Sequence, residues 1–252
     1  GDVIENPFLT GVFMWTGFDY RGEPTPFKWP CINSHFGIMD TCGYPKDVYY
    51  YMLANWTDSP MVHLFPHWNW PGREGQPIDV WVYSNADTVE LLLNGESLGE
   101  QPVARTKHLA WSVPYEPGKL EARARRGGQL VAGHIVETTG PAARVRLQPD
   151  RVVLCADNAD VSVVRVSILD AKGRVVPIAD DEVRFSLEGP GRILGVGNGD
   201  PSSHEPDKAT MRRAFNGHCL VLVQAGKQPG TIALRATATG LIGDETYIET
   251  QR

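Results

Sequence analysis

The sequence predicts a mainly β protein, two β-sandwiches preceded by a short βα segment. Three observations carry this reading. From about Asp58 onward, short alternating apolar and polar runs recur every ~8 to 12 residues between turns rich in Gly, Asn and Asp, as sandwich strands do. A Gly140-Pro141 break with a polar approach divides that stretch in two. Ahead of it lie only one buried-strand pattern and one helix pattern, whose apolar faces lack enough partners to make a domain.

The first segment, residues 1–57, opens with "GVFMWTGFDYRGEPTPFKWP" from Gly11 to Pro30. An apolar run that ends in a polar loop rich in Gly and Pro reads as a strand buried on both faces, with a functional loop at its C-terminal end. That is the arrangement at one edge of an α/β barrel. The chain then passes through "KWPCINSHFGIMDTCGYP" to Pro45, a residue suited to the first turn of a helix because its missing N–H costs nothing there. In "PKDVYYYMLANW", Val48, Tyr51, Met52 and Asn55 fall at i, i+3, i+4 and i+7, so one mostly apolar face can pack on a sheet. The segment therefore reads as a βα remnant.

Residues 58–140 form the first sandwich. "IDVWVYSN" alternates around Val80 and Val82, and Asn94-Gly95 in "VELLLNGESLGE" is the strongest two-residue hairpin signal. "KLEARARRGGQLVAGHIVET" sets Leu120, Ala122 and Ala124 on one face and Glu121, Arg123 and Arg125 on the other, with Gly127-Gly128 as the turn. Residues 141–252 form the second sandwich. There Val164, Val166 and Ile168 alternate with Arg165 and Ser167 before a turn at Asp170 to Gly173. The two sandwiches share no residue pattern that would make them a repeat.

Composition limits the partners. At 252 residues and 42% hydrophobic the chain can bury a sizeable core. Lys and Arg total 24 against 30 for Asp and Glu, and the net charge of -6 disfavours nucleic acid or an anionic membrane as partner. No run approaches the ~18 apolar residues of a membrane span. The start, "GDVIENPFLT", has neither a basic n-region nor an apolar h-region and no initiator Met, so a piece of a longer polypeptide is expected.

Cofactor and metal signals are weak. Cys31, Cys42, Cys155 and Cys219 make no C-x-x-C pair and read as structural thiols, with a Cys31–Cys42 or Cys155–Cys219 disulfide left open for an oxidising compartment. His63 and His67 in "HLFPHWNW" are four apart, but Pro66 between them opposes the helix that would align both on a metal, so aromatic packing is expected. "GVGNGD" lacks the following helix of a phosphate loop and reads as a tight turn. "CADNAD" has oxygens for calcium, yet a turn rich in Asp and Asn needs no metal. No cofactor is expected.

"GVFMWTGFDYRGEPTP" followed by "FGIMDTCGYPKDVYYY" resembles the last strand, loop and helix of the (β/α)8 barrel of glycoside hydrolase family 2, in its bacterial β-galactosidase branch. "VELLLNGESLG" resembles the Ig-like domain that follows the barrel there, and "GPGRILGVGNGDPSSHEPDKATMRRAFNGHCLVLVQA" resembles that branch's C-terminal Ig-like domain. The resemblance implies retaining hydrolysis of β-glycosides by two glutamates roughly 5 to 5.5 Å apart. In the family both lie on earlier barrel strands, so this chain is expected to lack both and to contribute no catalytic residue. Its expected partners are a β-glycoside, galactoside-like, and the N-terminal remainder of the polypeptide, and the family implies a periplasmic or extracellular location.

Three residues are candidates for sugar contact. The resemblance implies that Trp15 forms a wall of the sugar subsite, offering its ring to the apolar face of a pyranose. Asp19 and Glu23 either accept hydrogen bonds from sugar hydroxyls or pair with Arg21 and Lys28 in a solvated loop. An alternative reading is a non-catalytic carbohydrate-binding or structural Ig-like module, motivated by Trp68, Trp70, Trp81 and Trp111 as exposed aromatics.

Overall fold

In the computed structural model, which describes residues 2–104 and 106–252, two helices, α1 (Asp2–Glu5) and α2 (Asp47–Trp56), precede an unbroken succession of short strands that starts at Val62. The chain divides into two compact units. The first comprises Gly1–Asp19, Phe36–Met39 and Pro45–Thr138, and the second Tyr20–His35, Asp40–Tyr44 and Thr139–Arg252.

The strands of the first unit are β1 (Val62–Phe65), β2 (Pro77–Ser84), β3 (Thr88–Leu93), β4 (Glu96–Pro102), β5 (Leu109–Pro114), β6 (Lys119–Arg126) and β7 (Gln129–Glu137). They form antiparallel sheets in the orders β1-β2-β5 and β4-β3-β6-β7. Alternation decides which side chains enter the core. Ile78, Val80 and Val82 point inward from one sheet, and Val89, Leu91, Leu120, Ala122 and Ala124 from the other, all in one buried cluster. Each large side chain so buried contributes about 1.5–3 kcal/mol. Asn94 (φ 51°) and Gly95 (φ 91°) take the left-handed backbone that the two-residue turn between β3 and β4 requires.

The second unit holds β8 (Ala142–Pro149), β9 (Val153–Cys155), β10 (Val161–Asp170), β11 (Glu182–Glu188), β12 (Gly191–Gly197), β13 (Met211–Arg213), β14 (His218–Ala225), β15 (Gly230–Ala238) and β16 (Asp244–Gln251). Its sheets run β12-β14-β10-β8 and β13-β11-β15-β16-β9, with β9 lying parallel to β16. Val164, Val166 and Ile168 meet Val183, Ile232, Leu234 and Ile248 in a second core. The fold is thus mainly β, with two sandwiches, as the alternation predicts.

Several expectations for the first segment change. No strand is assigned over residues 11–15, and Val12, Phe13 and Trp15 are exposed. A strand exists only through its ladder, and the backbone bonds that tie this segment run from Thr16 to Asp19. Residues 1–57, expected as one βα piece, are divided between the two units. The helix forms over Asp47–Trp56, and its fully buried residue is Ala54, off the face marked by Val48 and Tyr51.

Elsewhere, Trp68 is no exposed platform but the largest fully buried side chain, donating from Nε1 to the Glu116 carbonyl at 2.9 Å. Trp81, in contrast, keeps 40% of its surface exposed. His63 stacks on Tyr50 with centroids 3.7 Å apart, and His67 on Trp70 at 4.7 Å, so both are packed among aromatics. In "CADNAD" the Asp157 carboxylate accepts the backbone N–H groups of Ala159 and Asp160, a self-contained turn. All four cysteines are free thiols.

Candidate functional site

The site grows from a short backbone pairing in the first unit. Thr16 N–H donates to the Phe36 carbonyl (3.3 Å), Ile38 N–H to Thr16 (3.1 Å), Met39 N–H to Gly17 (3.0 Å) and Asp19 N–H to Met39 (2.9 Å). This ladder fixes the chain immediately after Trp15. Trp15 itself is 71% exposed. A tryptophan on a backbone-tied segment offers a large flat apolar face.

Asp19 anchors the ladder. Its Oδ1 accepts the Gly37 N–H at 2.8 Å, and Lys46 Nζ lies 2.8 Å from Oδ2 and 3.1 Å from Oδ1. Gly37 must be glycine here, because a Cβ would sit 2.2 Å from the Asp19 nitrogen. The expected pairing of Asp19 with Arg21 or Lys28 is replaced by this bond to Lys46, at the start of α2. With its carboxylate buried to 9% exposure, most of its accepting capacity is used inside the protein.

Glu23 belongs to the second unit, at the tip of a loop whose limbs are tied by backbone bonds. Ser34 N–H donates to the Tyr20 carbonyl at 2.8 Å and Gly22 N–H to Ile32 at 2.8 Å, while Tyr20 N–H donates to Ser34 Oγ at 3.1 Å. At the tip, Glu23 has φ 48° and its carboxylate accepts the Tyr20 hydroxyl. The side chain is exposed. Arg21 does not pair with it but with Asp207, at 2.6 Å.

The turn Asp40–Tyr44 is seated in the second sandwich, a feature that sequence reasoning missed. Asp40 Oδ1 accepts the N–H groups of Cys42 (2.8 Å) and Tyr44 (2.9 Å), and the Tyr44 hydroxyl donates to the Cys219 carbonyl at 2.7 Å. Tyr44 also stacks on His218 at 5.1 Å. Burial, then the nearby Asp40 charge, pushes the Cys42 thiol up to about 11, so it is inert as a nucleophile near neutral pH. Burial also raises the Cys219 thiol and the Tyr44 phenol.

The signal for this seat was the glycine alternation in "GVGNGD". Gly195 and Gly197 lie in β12 rather than in a tight turn, and only Gly199 has a positive φ, 75°. A Cβ on Gly197 would meet Cys42 Sγ at 2.7 Å, and one on Gly199 would meet Asp40 Oδ2 at 1.9 Å. The glycines make room for the turn.

The chain belongs to glycoside hydrolase family 2, to the C-terminal portion of its members. A profile described as "Glycoside hydrolase family 2 C-terminal domain 5" matches residues 145–246, and a "Domain of unknown function (DUF4982)" matches residues 75–132. The chain is 48% identical to the β-galactosidase BoGH2A of Bacteroides ovatus over 241 residues, covering 95% of this chain and 28% of that protein. It is 33% identical to a putative β-glucuronidase of Formosa agariphila, covering 96% of this chain and 24% of that one.

Among solved structures, a β-glycosidase from Bacteroides vulgatus matches with a TM-score of 0.92 at 39% identity, over 98% of this chain and 32% of that one. A glycosyl hydrolase family 2 member from Bacteroides cellulosilyticus matches with a TM-score of 0.94 at 32% identity, over 99% and 37%. The chain therefore spans about a quarter to a third of the length of these relatives.

Proposed function

We propose that this chain is the substrate-contacting C-terminal part of a retaining β-glycosidase, which supplies sugar-binding side chains while the two catalytic glutamates lie outside it. The observation that carries this reading is Trp15, 71% exposed directly before a hydrogen-bonded ladder. Trp15 stacks on the apolar face of a pyranose. Asp19, bonded to Lys46 and Gly37, holds the segment that presents Trp15. Glu23, taken by itself in the second unit, is an acceptor for a sugar hydroxyl. The preferred substrate is a terminal β-galactoside, in keeping with the 48% identical relative, and a β-glucuronide is the competing one.

The test is steady-state kinetics of the whole polypeptide on aryl β-galactoside and aryl β-glucuronide, before and after Trp15→Ala. Loss of stacking should lower kcat/KM by roughly one to three orders of magnitude, at ~1.4 kcal/mol per tenfold. The melting temperature should fall much less than for a core tryptophan, whose truncation costs ~3 to 5 kcal/mol. Unchanged kinetics, or loss of activity only through unfolding, would remove Trp15 from the subsite. Greater turnover of the glucuronide would overturn the galactoside preference.

A second reading is a non-catalytic glycan-binding module, favoured by the partly exposed Trp81, whose ring stacks on His108 at 4.1 Å and meets Phe65 edge-on at 6.0 Å. Binding of oligosaccharide that survives Trp15→Ala and disappears in Trp81→Ala would support it.

A further inference from the structure

We propose that Asp207, in the second sandwich, is a positioning residue for the loop that carries Glu23; this rests on the reading of that loop as sugar-binding. The loop between β12 and β13 holds both limbs of the Tyr20–Ser34 segment. On the outgoing limb, Arg21 Nη2 donates to Asp207 Oδ2 at 2.6 Å, two residues before Glu23. On the return limb, His204 Nε2 bonds the Pro30 carbonyl at 2.8 Å, Ile32 N–H donates to the Pro201 carbonyl at 2.9 Å, and the Trp29 ring packs on His204 at 4.3 Å.

An ion pair between half-exposed side chains is a weak restraint when it stands alone, and Arg21 and Asp207 are each 56% exposed. Asp207 does not stand alone. Its other oxygen, Oδ1, accepts from Arg212 Nη2 at 2.7 Å, and the Arg212 side chain is only 2% exposed. Arg212 is fixed in turn by the Val196 carbonyl (3.0 Å), Ser203 Oγ (3.2 Å) and the Glu205 carbonyl (3.3 Å). The carboxylate is thus oriented from inside the sandwich before Arg21 reaches it, so little rotamer freedom remains to be lost when the pair forms.

The arrangement also decides which carboxylate Arg21 uses. Arg21 has its guanidinium on Asp207, while the Glu23 carboxylate accepts the Tyr20 hydroxyl. The acidic group at the loop tip is then available to a neutral polar ligand instead of being matched by its own neighbour. The buried cation in the sandwich sets the anion, the anion sets the loop cation, and the loop cation leaves the tip carboxylate for the sugar.

The test compares the whole polypeptide with its Asp207→Ala, Asp207→Asn and Asp207→Glu variants in two measurements. Hydrogen exchange should be faster across residues 20–34 in Asp207→Ala, and KM for the aryl glycoside should rise about threefold to tenfold with kcat within twofold. Asp207→Glu, which keeps the charge, should recover at least half of the KM change. Asp207→Asn gives the same reading with less risk to folding, and a melting curve on each variant identifies any that unfold. Unchanged exchange over 20–34 overturns the restraint, and faster exchange with unchanged KM overturns its role in substrate positioning. Glu23→Gln is run beside them. If it too leaves KM unchanged, the sugar-binding reading of the loop has failed, whatever the exchange shows about Asp207.

Discussion

Lys46 Nζ grips both carboxylate oxygens of Asp19, at 2.8 Å and 3.1 Å, across 27 residues of sequence. The bond joins the residue that closes the Thr16–Asp19 ladder to the start of α2, so one ion pair ties the segment after Trp15 to a helix.

Removing Asp19 leaves the Gly37 N–H and the Lys46 ammonium without this acceptor, a loss of about 2 kcal/mol on the scale of hydrogen bonds to charged groups. Asp19→Ala should lower the stability of the first unit by that amount in urea unfolding, and Asp19→Asn, which still accepts from Gly37, by less. A change below about 0.5 kcal/mol in Asp19→Ala, the range of ordinary surface substitutions, would show that the carboxylate is not structural.

The 252-residue chain on its own should release no aglycone from aryl β-glycosides, because a retaining mechanism needs a nucleophile and a proton donor on opposite sides of the bond. Turnover by the purified chain that vanishes in Glu23→Gln would make that loop carboxylate catalytic and sink the assignment.

His134 Nδ1 accepts the Leu64 N–H at 2.8 Å, which requires a neutral ring. Burial, followed by the neighbouring His63, lowers its pKa below the ordinary histidine value. A base whose folded pKa is depressed is protonated first in the unfolded chain. Stability is therefore full above the unfolded value of about 6.5 and is lost as pH falls from there through the folded pKa. The first unit's melting temperature should drop between pH 7 and pH 5, and His134→Asn should flatten that drop. An equal drop in the variant would assign it to another group.

Asp170 presents the opposite ionisation. Burial works against its charge, but the Arg174 guanidinium and the N–H groups of Gly140, Lys172 and Arg174 outweigh burial and hold the carboxyl well below the usual range. Its contribution is present above the unfolded pKa of about 3.9 and is lost as pH falls through the folded value. Acid unfolding of the second unit should thus steepen below about pH 4. Asp170→Asn should be less stable at pH 7 by about 3 kcal/mol, the cost of breaking a buried pair, and less sensitive to acid. Parallel acid curves for the two proteins would contradict this.

The sandwiches were legible in the sequence because alternation with a period of two is a local signal: Val80 and Val82, Leu120 to Ala124, and Val164 to Ile168 all lie where the pattern puts them. Asn94-Gly95 was legible for the same reason, as turn chemistry lies in two adjacent residues. The apolar run at Val12–Met14 specifies a strand only when neighbours complete its ladder, so the pattern alone does not make one. The partners of the loop were out of reach altogether. Arg21 with Asp207 and Tyr44 with Cys219 are 186 and 175 residues apart, and no periodicity reports such pairs. Gly197 and Gly199 held the one trace, an absence of side chains where another segment comes close, and it resembled an ordinary turn.

The seating of Tyr20–His35 and Asp40–Tyr44 in the second sandwich bears on how such enzymes can be recombined. A chimera cut at residues 138 and 139 would look like a clean exchange of one terminal module for another. It would instead set the host's loop against a foreign surface, which would itself have to supply a glycine opposite Asp40 and a carboxylate for Arg21. Working hybrids should be those that carry residues 20–35 and 40–44 together with the sandwich that cradles them, so the inherited unit is a discontinuous one.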